Sequence, residues 1–258
     1  IENQTYSHKN IEVILVDSWS GDSTRRIMTS FKNKHINEFS KIYVLDNQKR
    51  ILPCGWNIAL KKSSGNVIIR IDAHSTMQDD FVEKSVDLIK NGEMIVGGPR
   101  PSVIDENNDW QKTLLIAETS LFGSGIAAYR NSNEDRYVGT LAHAAYSRKV
   151  FQDVGGYDER LARTEDNEMH YRMKQAGYKF YFSQSIKSYH YARNSLLKMI
   201  KQKFFNGYWI GLTMGVCPKC FSIYHLVPLA IVVSLITSFA LVFIEQICWP
   251  LIFILGLY

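Results

Sequence analysis

Between Met169 and Ile244 the sequence holds no aspartate and no glutamate. The same stretch carries Arg172, Lys174, Lys179, Lys187, Arg193, Lys198, Lys201, Lys203 and Lys219. With no acidic counterweight, this part of the chain suits an anionic partner: phosphate, nucleic acid or an anionic lipid surface. Charged residues make up only 21% of the chain against 46% hydrophobic, which excludes a disordered chain and leaves material for a sizeable core. Cysteine is rare, and Cys54, Cys217, Cys220 and Cys248 do not make a disulfide framework. Cys217 and Cys220 form a lone C-x-x-C. It has no second pair at zinc-site spacing and no strand–helix setting for a redox motif, so it reads as a loop. Repeats and low-complexity segments are absent. The sequence opens on neither a methionine nor a signal peptide, and its first residues read as the tail of a helix, which suggests a fragment. At 258 residues it suits one large domain, or a domain with an appendage.

What is present begins with a rhythm. Residues 11–17, 41–46, 66–72 and 93–99 are short, largely apolar runs of the kind that form strands buried on both faces. Helical patterns lie between them, over residues 25–35, over 54–65 closed by Gly65, and over 79–92 closed by Gly92. This βαβα alternation predicts an α/β domain with an open, mostly parallel sheet flanked by helices. Ligands of such sheets bind beyond the carboxyl ends of the strands, and Asp17 and Asp72 both stand at strand ends. Residues 100–160 are less regular: "TLLIAETSLFGSG" reads as a helix ending in glycines and "AHAAYS" as a strand. A clearer helix follows Thr164, which can cap it. Glu165 and Asp166 occupy its first turn, Met169, Met173 and Ala176 share a face, and Gly177 ends it.

The carboxyl end changes character. Residues 225–244 carry no charge after His225, and at about 1.5 Å per residue they reach roughly 30 Å, enough for a membrane span, with a buried core helix as the alternative. Residues 247–258 begin a second apolar stretch. The lysine-rich flank before the first span belongs on the cytoplasmic side. Within residues 194–212, Leu196, Ile200, Phe204 and Tyr208 interleave with Lys198, Lys201 and Lys203. That spacing suits an amphipathic helix in the headgroup zone, with a plain packing helix as the alternative. The expected organisation is a catalytic domain over residues 1–193, an interfacial segment over 194–221 and a membrane region over 222–258.

Asp72 and His74 lie two residues apart on an extended backbone, hence on one side of it. A carboxylate and an imidazole there can hold a divalent metal; alternatively, Asp72 merely caps a following turn. Imidazole suits manganese, while magnesium prefers oxygen, so Mn2+ is favoured with Mg2+ second. Asp17 is either a ligand-facing carboxylate or a cap shared with Ser18 or Ser20, and Asp22 is equally a turn residue.

Three blocks carry a family resemblance. "VDSWSGDST" resembles the V-D-D-x-S-x-D-x-T segment of family 2 glycosyltransferases, "RIDAHS" their D-x-D segment, and "VGGYDERLARTEDNEMHYRMKQAGYK" their acceptor-side segment. The likeness covers roughly residues 1–193 and implies the GT-A fold, Rossmann-like, for that part. "R-x-D-A-H", "GSG" and the "Q-x-F-x-x-G" before the apolar tail are similar to membrane-bound transferases that build bacterial exopolysaccharides, the succinoglycan type. The resemblance implies a metal-dependent, inverting hexosyltransferase-type enzyme at the cell membrane, its catalytic domain facing the cytosol. It would move a sugar from a nucleotide-sugar donor to a lipid-linked saccharide or polyprenyl phosphate. Nucleic acid is not an expected partner. Asp166 would be the general base and Glu165 its partner or a cap. Asp17 would face the base of the nucleotide, with Asp22, Asn57 and Arg70 about the donor pocket. Asp72 and His74 would hold the metal, His190 would complete the metal site or touch the diphosphate, and Arg193 would clamp an anion.

The sequence departs from the family in three places. Asp-x-His stands for Asp-x-Asp, the arginine of Q-x-x-R-W is absent, and the strand and helix that normally open the domain are missing. Two other readings stay open: a nucleotidyltransferase, though no glycine-rich basic loop is visible, and an inactive membrane scaffold, against which Asp17, Asp72 and Asp166 all speak.

Overall fold

The computed structural model describes residues 1–73, 75–119, 134–191, 195–221, 226–245, 249, 250 and 252. Strands β1 (Glu12–Asp17) and β2 (Lys41–Asp46) pair in parallel, from Glu12 opposite Lys41 to Asp17 opposite Asp46. Helix α1 (Thr24–His35) joins them, with Lys32, Lys34 and His35 in its last turn, where cations complement the helix dipole. Helix α2 (Leu52–Lys62) takes Pro53 in its first turn, where the missing N–H costs nothing. It stops at an extended Ser63, not at Gly65 as the glycine suggested. Strand β3 (Val67–Ile69), β4 (Ser75–Met77) and helix α3 (Phe81–Lys90) follow. Helix α3 buries Phe81, Val82, Ser85 and Val86 along one stripe, and Gly92, at φ 109°, turns the chain away from it.

The central sheet is mixed rather than mostly parallel. Its order is β3, β8 (Ala144–Ser147), β5 (Ile95–Gly97), β9 (Phe180–Phe182) and β7 (Arg136–Val138). Strand β8 enters between β3 and β5 and runs antiparallel to both; β9 is parallel to β5, and β7 antiparallel to β9. The apolar runs of β3 and β5 fit either direction, so the sequence pattern could not announce the reversal. A smaller sheet places β10 (Ser188–Tyr191) between β4 and β6 (Ser102–Val103). Helix α4 (Asp109–Thr119) covers the first part of the helix expected to end in glycines, while residues 120–133, with the "GSG" run, lie outside the described residues.

Side-chain alternation along the central strands builds two cores. Ile95, Ala144, Tyr146, Phe180 and Phe182 face one cluster, which also holds Leu141, Val150, Met169 and Met173. Their neighbours Val96, Ala145 and Tyr181 face the other, with Val13, Ile42, Phe81 and Ile186. The period of two along each strand therefore divides the interior into two layers. Helix α5 (Arg148–Val154) and helix α6 (Glu165–Gln175) cover the first layer. The expected face of α6 holds: Met169 and Met173 are buried, and Gly177, at φ 87°, ends the helix. The expected cap does not. Thr164 sits at φ 65° without a capping hydrogen bond, and its hydroxyl lies 2.6 Å from that of Thr213.

Thr213 belongs to α7 (Leu196–Val216), the long helix of the amphipathic segment. The loop expected at Cys217 is a short 3-10 turn, Pro218–Cys220, in which Cys217 and Cys220 are disulfide-bonded. Helix α8 (Val227–Glu245) follows, with Leu229, Val232, Val233, Ile236 and Phe239 exposed. Among the described residues no helix is long and apolar enough to cross a membrane. The span expected over residues 225–244 thus rests on sequence, and the second apolar stretch lies outside the described residues except for 249, 250 and 252.

Candidate active site

Beyond β3 the chain leaves the sheet through Arg70, Ile71 and Asp72. Arg70 is the hub. Its Nη2 lies 3.1 Å from Glu165 Oε1 and 4.0 Å from Asp72 Oδ1. The guanidinium rests over the Trp56 ring of α2, 4.7 Å from its centroid, and 5.6 Å from that of Tyr157. Stacking between two aromatics and pairing to a carboxylate uses both the plane and the fork of an arginine, which lysine could not do. Burial works against the charge on Arg70, but Tyr157, Glu165, Asp166 and Asp72 outweigh it and hold the guanidinium protonated.

Glu165 and Asp166 are neighbours in sequence with different surroundings. Glu165 is buried against Arg70, and burial together with the charge of Asp166 raises its carboxyl to about 7 in spite of Arg70. Asp166 is half-buried, and its Oδ1 accepts the Asn167 amide at 2.9 Å. Behind them, His170 is fully enclosed. Its Nδ1 lies 2.9 Å from the Thr140 hydroxyl and its Nε2 3.3 Å from that of Tyr146. Burial lowers its pKa to about 4, so the ring is neutral.

The other expected residues divide into three groups. Asn57 bonds the backbone of Tyr157 twice: its Oδ1 accepts from the amide at 2.7 Å and its Nδ2 donates to the carbonyl at 2.9 Å. It also donates to Glu159 at 3.1 Å. These contacts tie Asn57 to the Tyr157 turn, which lies against Arg70. Asp17, buried at the end of β1, accepts from the Ser20 amide at 3.2 Å and its hydroxyl at 2.6 Å. Asp22 accepts from the Thr24 amide at 2.9 Å in the turn before α1, and that contact with Thr24 holds its pKa low. The described partners of both are these turn residues rather than the Arg70 cluster. His190 on β10 stands opposite Ser75 of β4 and Ser102 of β6, which puts it across the sheet from the start of β4. His74 and Arg193 lie outside the described residues.

One residue escaped the sequence reading. His143, at the mouth of β8, is buried with Nε2 3.5 Å from Asp72 Oδ2. Nothing in "LAHAAYS" marks it, since its partner is 71 positions away in sequence; only the antiparallel entry of β8 beside β3 brings the two together. Among the described residues no three His, Cys, Asp or Glu side chains are grouped to hold a metal ion. The donor chemistry nevertheless fits a divalent cation. Asp72, Glu165 and Asp166 outnumber Arg70, and His190 flanks the strand that follows position 74.

Solved structures share this α/β arrangement, and the fold is GT-A-like. Mannosyltransferase PcManGT from Pyrobaculum calidifontis, solved with GDP-Man and Mn2+, superposes with a TM-score of 0.55 at 15% identity over 76% of this chain and 52% of its own. S. aureus TarS in complex with UDP gives 0.54 at 14% over 74% of this chain and 54% of its own.

The sequence narrows the class: residues 1–155 match the profile of Glycosyl transferase family 2, and the chain belongs to that family. The succinoglycan biosynthesis protein ExoA of Rhizobium meliloti (strain 1021) is 31% identical over 78% of this chain. The chain spans 60% of that relative's length. A second relative, 28% identical over 94% of this chain and 76% of its own length, is the Methanococcus voltae dolichyl N-acetyl-alpha-D-glucosaminyl phosphate 3-beta-D-2,3-diacetamido-2,3-dideoxy-beta-D-glucuronosyltransferase. Glu165 and Asp166 lie beyond the residues the family profile covers.

Proposed function

We propose that this protein is a membrane-anchored, inverting glycosyltransferase that moves a sugar from a nucleotide-sugar donor to a lipid-linked saccharide or polyprenyl phosphate in surface polysaccharide synthesis. The observation that carries the proposal is the convergence of Arg70, Asp72 and Glu165 at the end of β3 and the first turn of α6, with Asp166 beside them. Asp166 takes the proton of the attacking hydroxyl. Its Oδ1 already accepts the Asn167 amide, so Oδ2 is the atom assigned to that proton. Glu165 does different work: buried against Arg70, it anchors the guanidinium that stands beside Asp72. Asp72, with His74 and His190, is assigned to a divalent cation, Mn2+ before Mg2+. That cation, when bound, supplies positive charge against the departing diphosphate. The UDP complex of TarS, the GDP-Man complex of PcManGT, and the dolichyl phosphate in the name of the M. voltae relative support a nucleotide donor and a lipid-linked acceptor.

Membrane attachment belongs to the same proposal. Helix α8 has no charge before Glu245, and its Leu229, Ile236 and Phe239 are exposed. On α7, Leu197 and Phe204 are exposed next to Lys198, Lys201 and Lys203, a pattern that fits acyl chains below and phosphates above. The testing experiment is a donor screen on purified, detergent-solubilised protein with Mn2+, reading nucleotide release. Turnover with one donor that falls in both Asp72→Ala and Asp166→Ala supports the assignment. Turnover undiminished in both variants contradicts it.

A further inference from the structure

We propose that His143 is the positioning residue of Asp72, its imidazole fixed by Ser188 as the tautomer that carries hydrogen on Nε2. This rests on the reading of Asp72 as the carboxylate of the donor site. The geometry joins three elements. Asp72 follows β3, His143 precedes β8, and Ser188 opens β10. His143 and Ser188 are each only 2% exposed. Ser188 Oγ lies 2.9 Å from His143 Nδ1, while the Ser188 amide is committed to the Pro99 carbonyl at 3.1 Å. On the other side of the ring, Nε2 is enclosed without a hydrogen bond, and Asp72 Oδ2 lies 3.5 Å from it.

Two tautomers are available to a neutral imidazole. With hydrogen on Nδ1, the ring donates to Ser188 and turns the Nε2 lone pair toward a carboxylate oxygen, leaving two acceptors face to face in a buried place. With hydrogen on Nε2, Ser188 donates to Nδ1 and Nε2 donates toward Asp72, so every group has a partner. The β5 backbone makes room for this arrangement. A Cβ on Gly97 would lie 2.6 Å from the His143 carbonyl, so only glycine lets the entry of β8 approach there. Asp72 is then bracketed, by Arg70 Nη2 on the side of Oδ1 and by His143 Nε2 on the side of Oδ2. A separation of 3.5 Å is longer than a formed hydrogen bond, and such contacts tighten when a site is loaded.

The test uses the detergent-solubilised chain labelled with 15N-histidine. The shifts of His143 report hydrogen on Nε2, Ser188→Ala mixes the tautomers, and Asp72→Asn moves the Nε2 signal. Calorimetric titration with Mn2+ and UDP or GDP supplies the second readout. His143→Phe weakens metal-dependent nucleotide binding about 10- to 100-fold, the usual reach of a group that orients a metal ligand. His143→Gln, whose amide nitrogen falls near the lost Nε2, restores binding to within a few-fold. An Nδ1–H signal, or a folded His143→Phe protein that binds as the parent does, overturns the proposal. A parent protein that binds neither nucleotide, but shows Nε2–H coupled to Asp72, contradicts the donor-site reading and leaves the positioning role standing.

Discussion

Where β3 meets α6, charge is buried and paired; along α7 and α8, apolar side chains face outward beside lysines. Arg70, Glu165 and His170 are enclosed among Trp56, Tyr157 and Tyr146, and each polar contact is specific. Leu197, Phe204, Ile236 and Phe239 stand 57–79% exposed, and among the described contacts Thr164 with Thr213 and Arg163 with Asn206 tie α7 to the domain. The first region is arranged to hold atoms still. The second leaves apolar side chains exposed beside lysines. The same substitution should therefore have opposite signatures in the two places: stability in one, partitioning in the other.

The largest effect is expected at Arg70. Arg70→Met leaves Glu165 and Asp72 without their cation, and breaking a buried pair in this way costs about 3–5 kcal/mol in denaturant unfolding. Phe180→Ala, in the core packed under α6, should cost a similar ~3–5 kcal/mol, whereas Phe204→Ala, 67% exposed, should stay within about 0.5 kcal/mol in detergent and instead weaken vesicle binding.

The pH dependence of stability comes next. Glu165 has its pKa raised from 4.5 to about 7, so ionising it in place is unfavourable; stability falls as pH rises across that window, and Glu165→Gln removes the trend. His170 has its pKa lowered from 6.5 to about 4, so the unfolded chain takes up protons first. Stability falls as pH drops from 6.5 toward 4, and His170→Gln removes that opposing trend. Thermal melts of both variants between pH 4 and 7 should bend in opposite directions relative to the parent. The smallest effect is expected for Lys198, Lys201 and Lys203. Replacing all three with alanine leaves the melting temperature in place and weakens binding to anionic vesicles by about 1 kcal/mol per lysine, a loss that added salt conceals.

The two regions also differed in how far the sequence disclosed them. Element types along the first 100 residues follow from periodicity and turn residues, and β2 falls on the expected residues 41–46. The acidic positions 72, 165 and 166 were visible because motif residues sit at strand and helix ends, where local chemistry marks them. Strand direction was not visible: β8 is apolar on both faces and pairs as readily antiparallel as parallel. Neither were the different surroundings of Glu165 and Asp166, which depend on the long-range partner Arg70 and on the stacking of Trp56 and Tyr157. The contact of Asn57 with the Tyr157 backbone was not visible either, because the two are 100 residues apart. The apolar arm is the reverse case, strongly marked in sequence and only lightly tied in structure.

The measurement that bears most directly on glycosyl transfer is single-variant kinetics at Asp166. With the donor that the screen identifies and Mn2+ present, Asp166→Asn should keep nucleotide binding within a few-fold and reduce kcat by about 10²–10⁴, the contribution of a general base. A variant that turns over at the parent rate with the same acceptor would contradict the assignment of the α6 carboxylate to the chemistry.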